Sequence, residues 1–192
     1  MKISLIYFDF PFWRAEVVRI SLFMGGIDFE DIRISSEEFQ RVKKNGNLDN
    51  GTIIPFHQLP CLVIDDISLA QTGAIARYCG KLTKLYPVNN DIAAAKIDQF
   101  IDIATDITMI IISTKPENIH RLVPGELSRK LSILNKSIEP NHKYLVNNSI
   151  SVADIAIWSL MCWLTSGKGK VDGISENIIK DYENIKKICL LV

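Results

Sequence analysis

The chain has 192 residues, of which 47% are hydrophobic and 23% are charged, and its 22 basic and 22 acidic side chains leave a formal net charge of zero. This length suits one large domain or two small ones. The balanced charge argues against a nucleic-acid partner, which usually needs a basic surface. No apolar run approaches the ~18 residues that span a bilayer, and the N-terminus lacks a signal-peptide pattern, so we expect no membrane association and a cytoplasmic location.

The cysteines and histidines give no sign of a metal centre. The four cysteines are widely spaced, form no CxxC pair and lie among apolar residues. They are therefore predicted to be reduced thiols, buried as small apolar side chains. The three histidines form no spacing with cysteine, serine or carboxylates that indicates a metal site or a catalytic triad, so neither is predicted.

The first 54 residues alternate between strand and helix patterns. Residues 3–8 are a nearly continuous apolar run, which predicts a strand buried on both faces. Helical spacing of apolar residues from Trp13 to Met24 predicts a helix that ends at Gly25-Gly26. Residues 29–34 alternate as a second strand, and the polar run that follows predicts a short helix and a long loop.

A β-hairpin followed by a helix is predicted over residues 55–78, PFHQLPCLVIDDISLAQTGAIARY. Two short apolar runs flank Asp65-Asp66, which is typical of a tight turn between strands. Pro60 at the entry to the first run predicts a rigid turn, which can be cis. Thr72 is the predicted N-cap of the next helix. A helix start attracts anions, and Gln58 and Gln71, at the two ends of the hairpin, can aim their amides at one ligand.

The second half of the chain is predicted to be helical. Residues 85–90, LYPVNN, mark the predicted boundary between domains 1–84 and 85–192. Beyond it, helical spacing covers residues 91–113, about 127–138, an apolar helix after Asp154, and one more helix between Ile174 and the C-terminus. Ser151 and Asp154 are spaced as in a capping box, with Asp in the place of the usual Glu or Gln.

Two motifs resemble one known family. Gln-Leu-Pro, the hairpin and Gln-Thr-x-Ala-Ile-x-x-Tyr resemble the glutathione-binding half of cytosolic glutathione transferases, and the closest group is the tyrosine type (sigma- and alpha-like classes). The segment NNSISVADIAI is similar to the helix-nucleating signature of the family's second domain. The resemblance implies an α/β thioredoxin-like domain followed by an all-α helical bundle, glutathione as co-substrate, and a homodimer.

Tyr7 and Arg14 are the candidate catalytic residues. From the strand pattern alone, Tyr7 is a core tyrosine whose hydroxyl finds a partner. The resemblance implies instead that it donates a hydrogen bond to the glutathione sulfur, which stabilises the thiolate and lowers the pKa of a thiol that otherwise titrates near 8.5. Arg14 matches the family's arginine and would add positive field near the sulfur. The alternative is an ion pair with Glu16 or with an acid of the second domain.

The loop between these two residues departs from the family pattern. It is one residue longer, and Trp13 stands where the family usually has glycine. We expect Phe10, Phe12 and Trp13 to form walls for a hydrophobic co-substrate.

The resemblance also implies a set of glutathione-binding residues. Lys43 would hold the glycine carboxylate, although a solvated helix lysine is the alternative, and Phe39 replaces a tryptophan of the sigma-like pattern. The backbone of Leu59 would pair with the cysteinyl backbone, while Gln71 and Thr72 would hold the γ-glutamyl carboxylate. The full set is Phe39, Lys43, Gln58, Leu59, Pro60, Gln71, Thr72 and Asp106.

Asp98, Asp102 and Asp106 recur every four residues and so share one face of a helix. Like charges at this spacing repel unless a positive group faces them, and a solvated face is the simplest interpretation. The resemblance places Asp106 where an aspartate reaches across a dimer interface to the γ-glutamyl amine. It places Asp102 where some sigma-like prostaglandin synthases carry acids that hold a divalent cation.

The predicted function is conjugation of the glutathione thiolate to a hydrophobic electrophile. Two alternatives remain open on the same fold. One is a glutathione-dependent isomerase of the prostaglandin-synthase kind, and the other is a non-catalytic carrier of hydrophobic ligands.

Overall fold

A four-stranded sheet forms the centre of the first half of the molecule. The structure is a computed structural model that describes residues 1–165 and 171–192. Its strands are β1 (Ile3–Phe8), β2 (Glu30–Ile34), β3 (Cys61–Ile64) and β4 (Ile67–Ala70), in the order β2-β1-β3-β4. β1 runs parallel to β2 and antiparallel to β3, and the β3–β4 hairpin turns at Asp65-Asp66, as predicted.

Three helices cover the two faces of this sheet. They are α1 (Trp13–Met24), α2 (Ser36–Asn45) and α3 (Thr72–Leu82). Side chains of β1 alternate between the faces, so that Leu5 packs in the cluster that contains α1 and α3, while Ile6 packs with Val42 of α2. The prediction of a strand buried on both faces and of a thioredoxin-like α/β fold is therefore confirmed.

The second half is helical. Its helices are α4 (Asp91–Ile112), α5 (Ile119–Leu122), α6 (Ser128–Ser137), α7 (Val152–Thr165) and α8 (Glu183–Leu191), and a π-helical turn at Val123–Leu127 joins α5 to α6. α7 is buried on nearly all sides because it packs against both α1 and α4. One hydrophobic cluster therefore runs from the sheet into the helical half. In the described part of the chain, no helix is both long and apolar enough to cross a membrane.

One predicted helix start is wrong. Thr72 is not an N-cap but the first residue of α3, and Gln71 occupies the cap position without a side-chain cap bond. The helix predicted between Ile174 and the C-terminus is confirmed; it begins at Glu183, and residues 176–181 before it form turns. Its start is fixed by Asn135 of α6, whose Oδ1 accepts hydrogen bonds from the N–H groups of Asn184 and Ile185 at 2.9 and 3.1 Å. This cap comes from another helix, so local sequence gives no signal for it.

The cysteines agree with the sequence prediction in part. None of the four forms a disulfide in the described structure; Cys61 and Cys79 are buried as predicted, whereas Cys162 and Cys189 are half-buried. Burial raises the pKa of the Cys79 thiol to about 12.

Asp154 holds the start of α7 in place. The carboxylate is fully buried and accepts three hydrogen bonds, from the Leu145 N–H at 2.8 Å and from the N–H and hydroxyl of Ser151 at 2.8 and 2.7 Å. Burial raises the pKa of Asp154, and these hydrogen bonds act against that effect. Half of the predicted capping box is therefore present: the Asp154 carboxylate accepts from the Ser151 N–H, whereas the Ser151 hydroxyl donates to that carboxylate and does not cap the Asp154 N–H. The bond from Leu145 also fixes the preceding loop.

We expect Asp154→Asn to lower the free energy of unfolding by about 2–3 kcal/mol, because an amide has one acceptor oxygen for three donors and turns an N–H₂ group toward one of them. Urea unfolding of both proteins measures this difference. Ser151→Ala is the matched control, since it removes one of the three bonds and should cost about 1 kcal/mol. Equal losses for the two variants would contradict this account of the cap.

Candidate active site

A cavity of about 900 Å³ opens between the end of β1, α2, the hairpin, the start of α3 and one face of α4. It is lined by most of the predicted site residues. Pro60 and Asp106 are the two that do not line it. The predicted residues that do are Tyr7, Arg14, Phe39, Lys43, Gln58, Leu59, Gln71 and Thr72.

Tyr7 lies at the end of β1 and is only 4% exposed. Its hydroxyl has no hydrogen-bond partner within residues 1–165 and 171–192. Burial raises the pKa of Tyr7 well above its ordinary value, and the nearby Arg14 and Arg19 lower it by less. The phenol is therefore a neutral O–H donor with its hydrogen-bonding capacity unused.

Arg14 is the second residue of α1 and reaches the same cavity. Its Nη2 lies 3.5 Å from the Met109 sulfur, and its Nε is buried without a partner among the described residues. The alternative of an ion pair with Glu16 is wrong, because Glu16 pairs with Arg19 at 2.6 Å. Burial lowers the pKa of Arg14, while Tyr7 raises it. A partly buried guanidinium with no carboxylate partner in the described structure is suited to an anionic ligand.

The predicted aromatic walls are not part of the cavity lining. Trp13 is 1% exposed, and its indole Nε1 donates to Thr108 Oγ1 at 2.6 Å. Phe12 meets Trp163 edge to face, with the ring centroids 4.8 Å apart. Phe10 packs on Phe12 in turn, at 5.8 Å. The expectation of a wall for a co-substrate is therefore wrong for Phe12 and Trp13, whose side chains pack against the helical half. Phe10 is half-buried beside Tyr7, with the ring centroids 6.0 Å apart, so for Phe10 the expectation stays a prediction.

The apolar lining comes from other residues, which sequence reasoning missed. Phe8 and Phe56 line the cavity on the side of the first half, and Met109 and Ile112 line it from α4. Phe56 is 72% exposed, and Met109 and Ile112 are about half exposed. Exposed apolar residues on the outer face of a predicted helix are a weak signal, because single ones are common on protein surfaces.

The α2 wall of the cavity carries an aromatic ring with a cation beside it. Phe39 and Lys43 are four residues apart, so they lie on one face of α2. The Lys43 Nζ is 4.9 Å from the centre of the Phe39 ring, which meets Phe8 edge to face at 5.0 Å. The Phe39 contact thus directs the lysine along the cavity wall.

On the hairpin side of the cavity lie two side-chain amides and backbone groups that have no hydrogen-bond partner in the described structure. Gln71 Nε2 donates to Gln58 Oε1 at 3.0 Å, so the structure brings these two predicted residues together. The N–H and C=O of Leu59 have no hydrogen-bond partner in the part of the chain that is described. The Leu59–Pro60 peptide bond is cis. An extended peptide can therefore pair with this edge.

The first turn of α3 points free N–H groups toward the cavity. The amides of Thr72, Gly73 and Ala74 have no hydrogen-bond partner among residues 1–165 and 171–192. Gln71 precedes them with φ 73° and ψ 119°, a left-handed backbone that costs a non-glycine residue about 1–3 kcal/mol. This backbone turns the chain sharply from β4 into α3, so the helix start is left open as an anion site.

The acidic face of α4 is met by positive groups. Arg77 of α3 pairs with Asp98 at 2.6 Å and with Asp102 at 3.3 Å, and Lys130 pairs with Asp106 at 3.4 Å. The interpretation as a solvated stripe is therefore wrong for Asp98, whose carboxylate is bound between α3 and α4. In the described residues, no group of three or more His, Cys, Asp or Glu side chains is arranged to hold a metal ion.

The chain is similar to proteins of one known family. The family model described as "Glutathione S-transferase, N-terminal domain" matches residues 3–81, and "Glutathione S-transferase, C-terminal domain" matches residues 100–188. Glutathione S-transferase P 10 of Caenorhabditis elegans is 31% identical over 167 residues, which are 82% of this chain and 74% of that protein. Glutathione S-transferase alpha-4 of Rattus norvegicus is 29% identical over 95% of this chain and 79% of its own. The solved structure of prostaglandin synthase D of Nilaparvata lugens matches with a TM-score of 0.80 and 27% identity, over all of this chain and 92% of that one.

The raised pKa of Tyr7 predicts its behaviour at alkaline pH. A difference titration of tyrosinate absorbance, wild type minus Tyr7→Phe, should show no phenol ionising at or below about pH 10, the ordinary value. Because the unfolded chain releases this proton at lower pH than the folded one, the stability of wild type should fall more steeply above about pH 10 than that of the variant. A difference signal centred at or below pH 10 would contradict the buried donor.

Proposed function

The chain belongs to the glutathione S-transferase family, and from this membership we propose that it joins the sulfur of glutathione to a hydrophobic electrophile in the cavity at the end of β1. It is an enzyme of the transferase class, and glutathione is its co-substrate. One observation carries the proposed mechanism: the hydroxyl of Tyr7, without a partner in the described structure, lies in the same cavity as the guanidinium of Arg14, which makes no ion pair there.

Tyr7 stabilises the thiolate without giving up its own proton. The nucleophile is the thiolate, whereas a free thiol near neutral pH is mostly protonated. The raised pKa of Tyr7 keeps its proton in place, so the phenol acts as a hydrogen-bond donor to the sulfur anion and not as a base. Arg14 adds positive charge from the start of α1. Both groups favour the anion before the electrophile arrives, and this preorganisation lowers the barrier.

Glutathione lies along the hairpin wall in this proposal. Its cysteinyl backbone pairs with the free N–H and C=O of Leu59, which brings the sulfur toward Tyr7. Its γ-glutamyl carboxylate occupies the open start of α3, at the amides of Thr72 and Gly73, where the helix dipole favours an anion. The Gln58–Gln71 pair lies beside that group. Lys43 meets the glycine carboxylate at the other end of the tripeptide.

The electrophile occupies the apolar side of the cavity. Met109 and Ile112 of α4 face the same space as Tyr7 and Arg14, and Phe8 and Phe56 extend the apolar surface. An apolar electrophile fits this lining, and closeness to the bound thiolate converts the reaction into an effectively intramolecular one.

We propose a cytoplasmic homodimer with the domains 1–84 and 85–192. Asp106 supports the dimer, because its carboxylate does not line the cavity of its own chain and is largely exposed. In the proposed dimer it reaches the γ-glutamyl amine bound to the partner subunit.

A glutathione-dependent isomerase is the second candidate. It is favoured by the 27% identity and TM-score of 0.80 to the prostaglandin synthase D of Nilaparvata lugens. Both reactions need the same thiolate, so Tyr7 has the same role in each. They differ in the product, because conjugation adds the mass of glutathione to the electrophile, whereas isomerisation returns glutathione unchanged.

Tyr7→Phe tests the thiolate mechanism. We expect kcat/KM with a nitro-activated aryl halide to fall about 10- to 100-fold, since a hydrogen bond to an ion contributes about 1.5–3 kcal/mol. Calorimetric affinity for glutathione should stay within about threefold, and the apparent pKa of the bound thiol should rise. Tyr182→Phe is the control, because it removes a hydroxyl bonded to the Ser128 carbonyl, remote from the cavity.

The outcomes separate the candidate functions. Wild type that binds glutathione but neither conjugates nor isomerises would reject both enzymatic proposals in favour of a carrier. Wild type that binds no glutathione would reject all glutathione-dependent chemistry. Unchanged kcat/KM in Tyr7→Phe would reject Tyr7 as the thiolate donor.

Asp106→Asn tests the dimer. If the protein is a dimer by analytical ultracentrifugation, the variant should raise KM for glutathione about 3- to 10-fold with little change in kcat, because the lost contact is to the bound ground state. Asp66→Asn, a change at the hairpin turn, is the control. A monomer, or an unchanged KM in the dimer, would reject the role of Asp106.

A further inference from the structure

His57 links the two walls of the cavity that face the tripeptide. Its Nδ1 lies 3.0 Å from the backbone carbonyl of Lys43, in the last turn of α2. A carbonyl oxygen only accepts, so this contact is a hydrogen bond donated by Nδ1–H. A second bond joins the same two segments, from the N–H of Ile54 to the carbonyl of Gly46 at 2.8 Å.

The neighbouring backbone is shaped to receive the imidazole ring. Gly46 ends α2 in a left-handed conformation, and a β-carbon placed there would lie 2.5 Å from His57 Nε2. His57 itself has φ 52°, and Phe56 before it has φ 58°. Two successive non-glycine residues in the left-handed region are costly, so the surrounding contacts must hold them there.

The helix whose end His57 holds, α2, buries few side chains. Val42 is the one residue of α2 that is buried. The last four carbonyls of a helix lack intrahelical partners, so a side chain that binds one of them fixes the position of the final turn. Lys43 belongs to this turn and lines the cavity, and Gln58 and Leu59 follow His57 directly on the opposite wall.

We propose that His57 is a positioning residue that sets the distance between the Lys43 cation and the peptide edge of Leu59. The cavity thereby favours glutathione, whose C-terminal carboxylate lies one residue beyond cysteine, over the shorter dipeptide γ-glutamylcysteine. This inference rests on the proposed glutathione binding. His57 touches neither sulfur nor electrophile in the proposed complex, so it affects recognition of the peptide and not the rate of the chemical step.

The experiment compares glutathione with γ-glutamylcysteine as thiol substrates for wild type, His57→Gly and His57→Asn. For His57→Gly we expect KM for glutathione to rise about 3- to 10-fold while kcat and the KM for γ-glutamylcysteine stay within about twofold. Asparagine keeps a donor N–H close to the position of Nδ1 and tolerates left-handed backbone, so His57→Asn should stay within about twofold of wild type for both peptides.

Two further measurements isolate the link to Lys43. In a Lys43→Ala background, adding His57→Gly should raise KM for glutathione by less than about twofold, because the cation that His57 positions is gone. Lys84→Gly is the control: it removes the backbone strain of a left-handed residue (φ 63°) that does not line the cavity, and it should leave both KM values unchanged. If His57→Gly does not fold, His57→Gln, which carries its donor farther from the backbone, replaces it with the same expectation.

The proposal is overturned if His57→Gly raises KM equally for both peptides, lowers kcat alone, or adds fully to Lys43→Ala. A folded His57→Asn that behaves like His57→Gly also overturns it. Failure of wild type to bind glutathione in calorimetry is a separate result, because it rejects the proposed function before any variant is compared.

Discussion

The buried hydrogen bond between Trp13 Nε1 and Thr108 Oγ1, 2.6 Å long, fixes the first turn of α1 against α4. A buried indole N–H needs an acceptor, so this bond selects one alignment of the two helices. The next residue on each helix faces the cavity, and the Arg14 guanidinium meets the Met109 sulfur there. The position of the Arg14 guanidinium relative to the apolar wall of the cavity is therefore set by the core contact between Trp13 and Thr108.

Much of the fold could be predicted because its signals are local. The apolar run of β1, the glycine pair after α1 and the Asp65-Asp66 turn each lie within a few residues of the structure they specify. The start of α8 could not, because Asn135 caps it from α6. The burial of Trp13 could not be predicted for the same reason: its acceptor, Thr108, is remote in sequence, and a tryptophan at the start of a helix gives no indication of whether it faces a ligand or the core.

In the candidate site, too, local features could be predicted from the sequence and features that depend on remote contacts could not. The wall from Gln58 to Thr72 is one continuous stretch, so its sequence predicts the hairpin and the turn at Pro60, although the left-handed Gln71 that opens the start of α3 is not predicted. The contribution of α4 depends on how the halves pack, and the half-exposed Met109 and Ile112 look like ordinary surface residues in the sequence. The sequence also could not show that Arg14 forms no ion pair with Glu16. The two residues are only two positions apart, but Glu16 pairs with Arg19, three residues farther along the same helix.

Backbone strain in the cavity wall connects the binding site to the fold. Phe56, His57 and Gln71 all line the cavity with left-handed φ angles, although none is glycine. Glycine would follow the same path at lower cost, but it would lack the side chain that each position uses: an apolar surface, the bond to the α2 carbonyl, and the amide that reaches Gln58. The strain of about 1–3 kcal/mol at each residue is offset by packing elsewhere, and it leaves the start of α3 and the Leu59 edge open to a ligand.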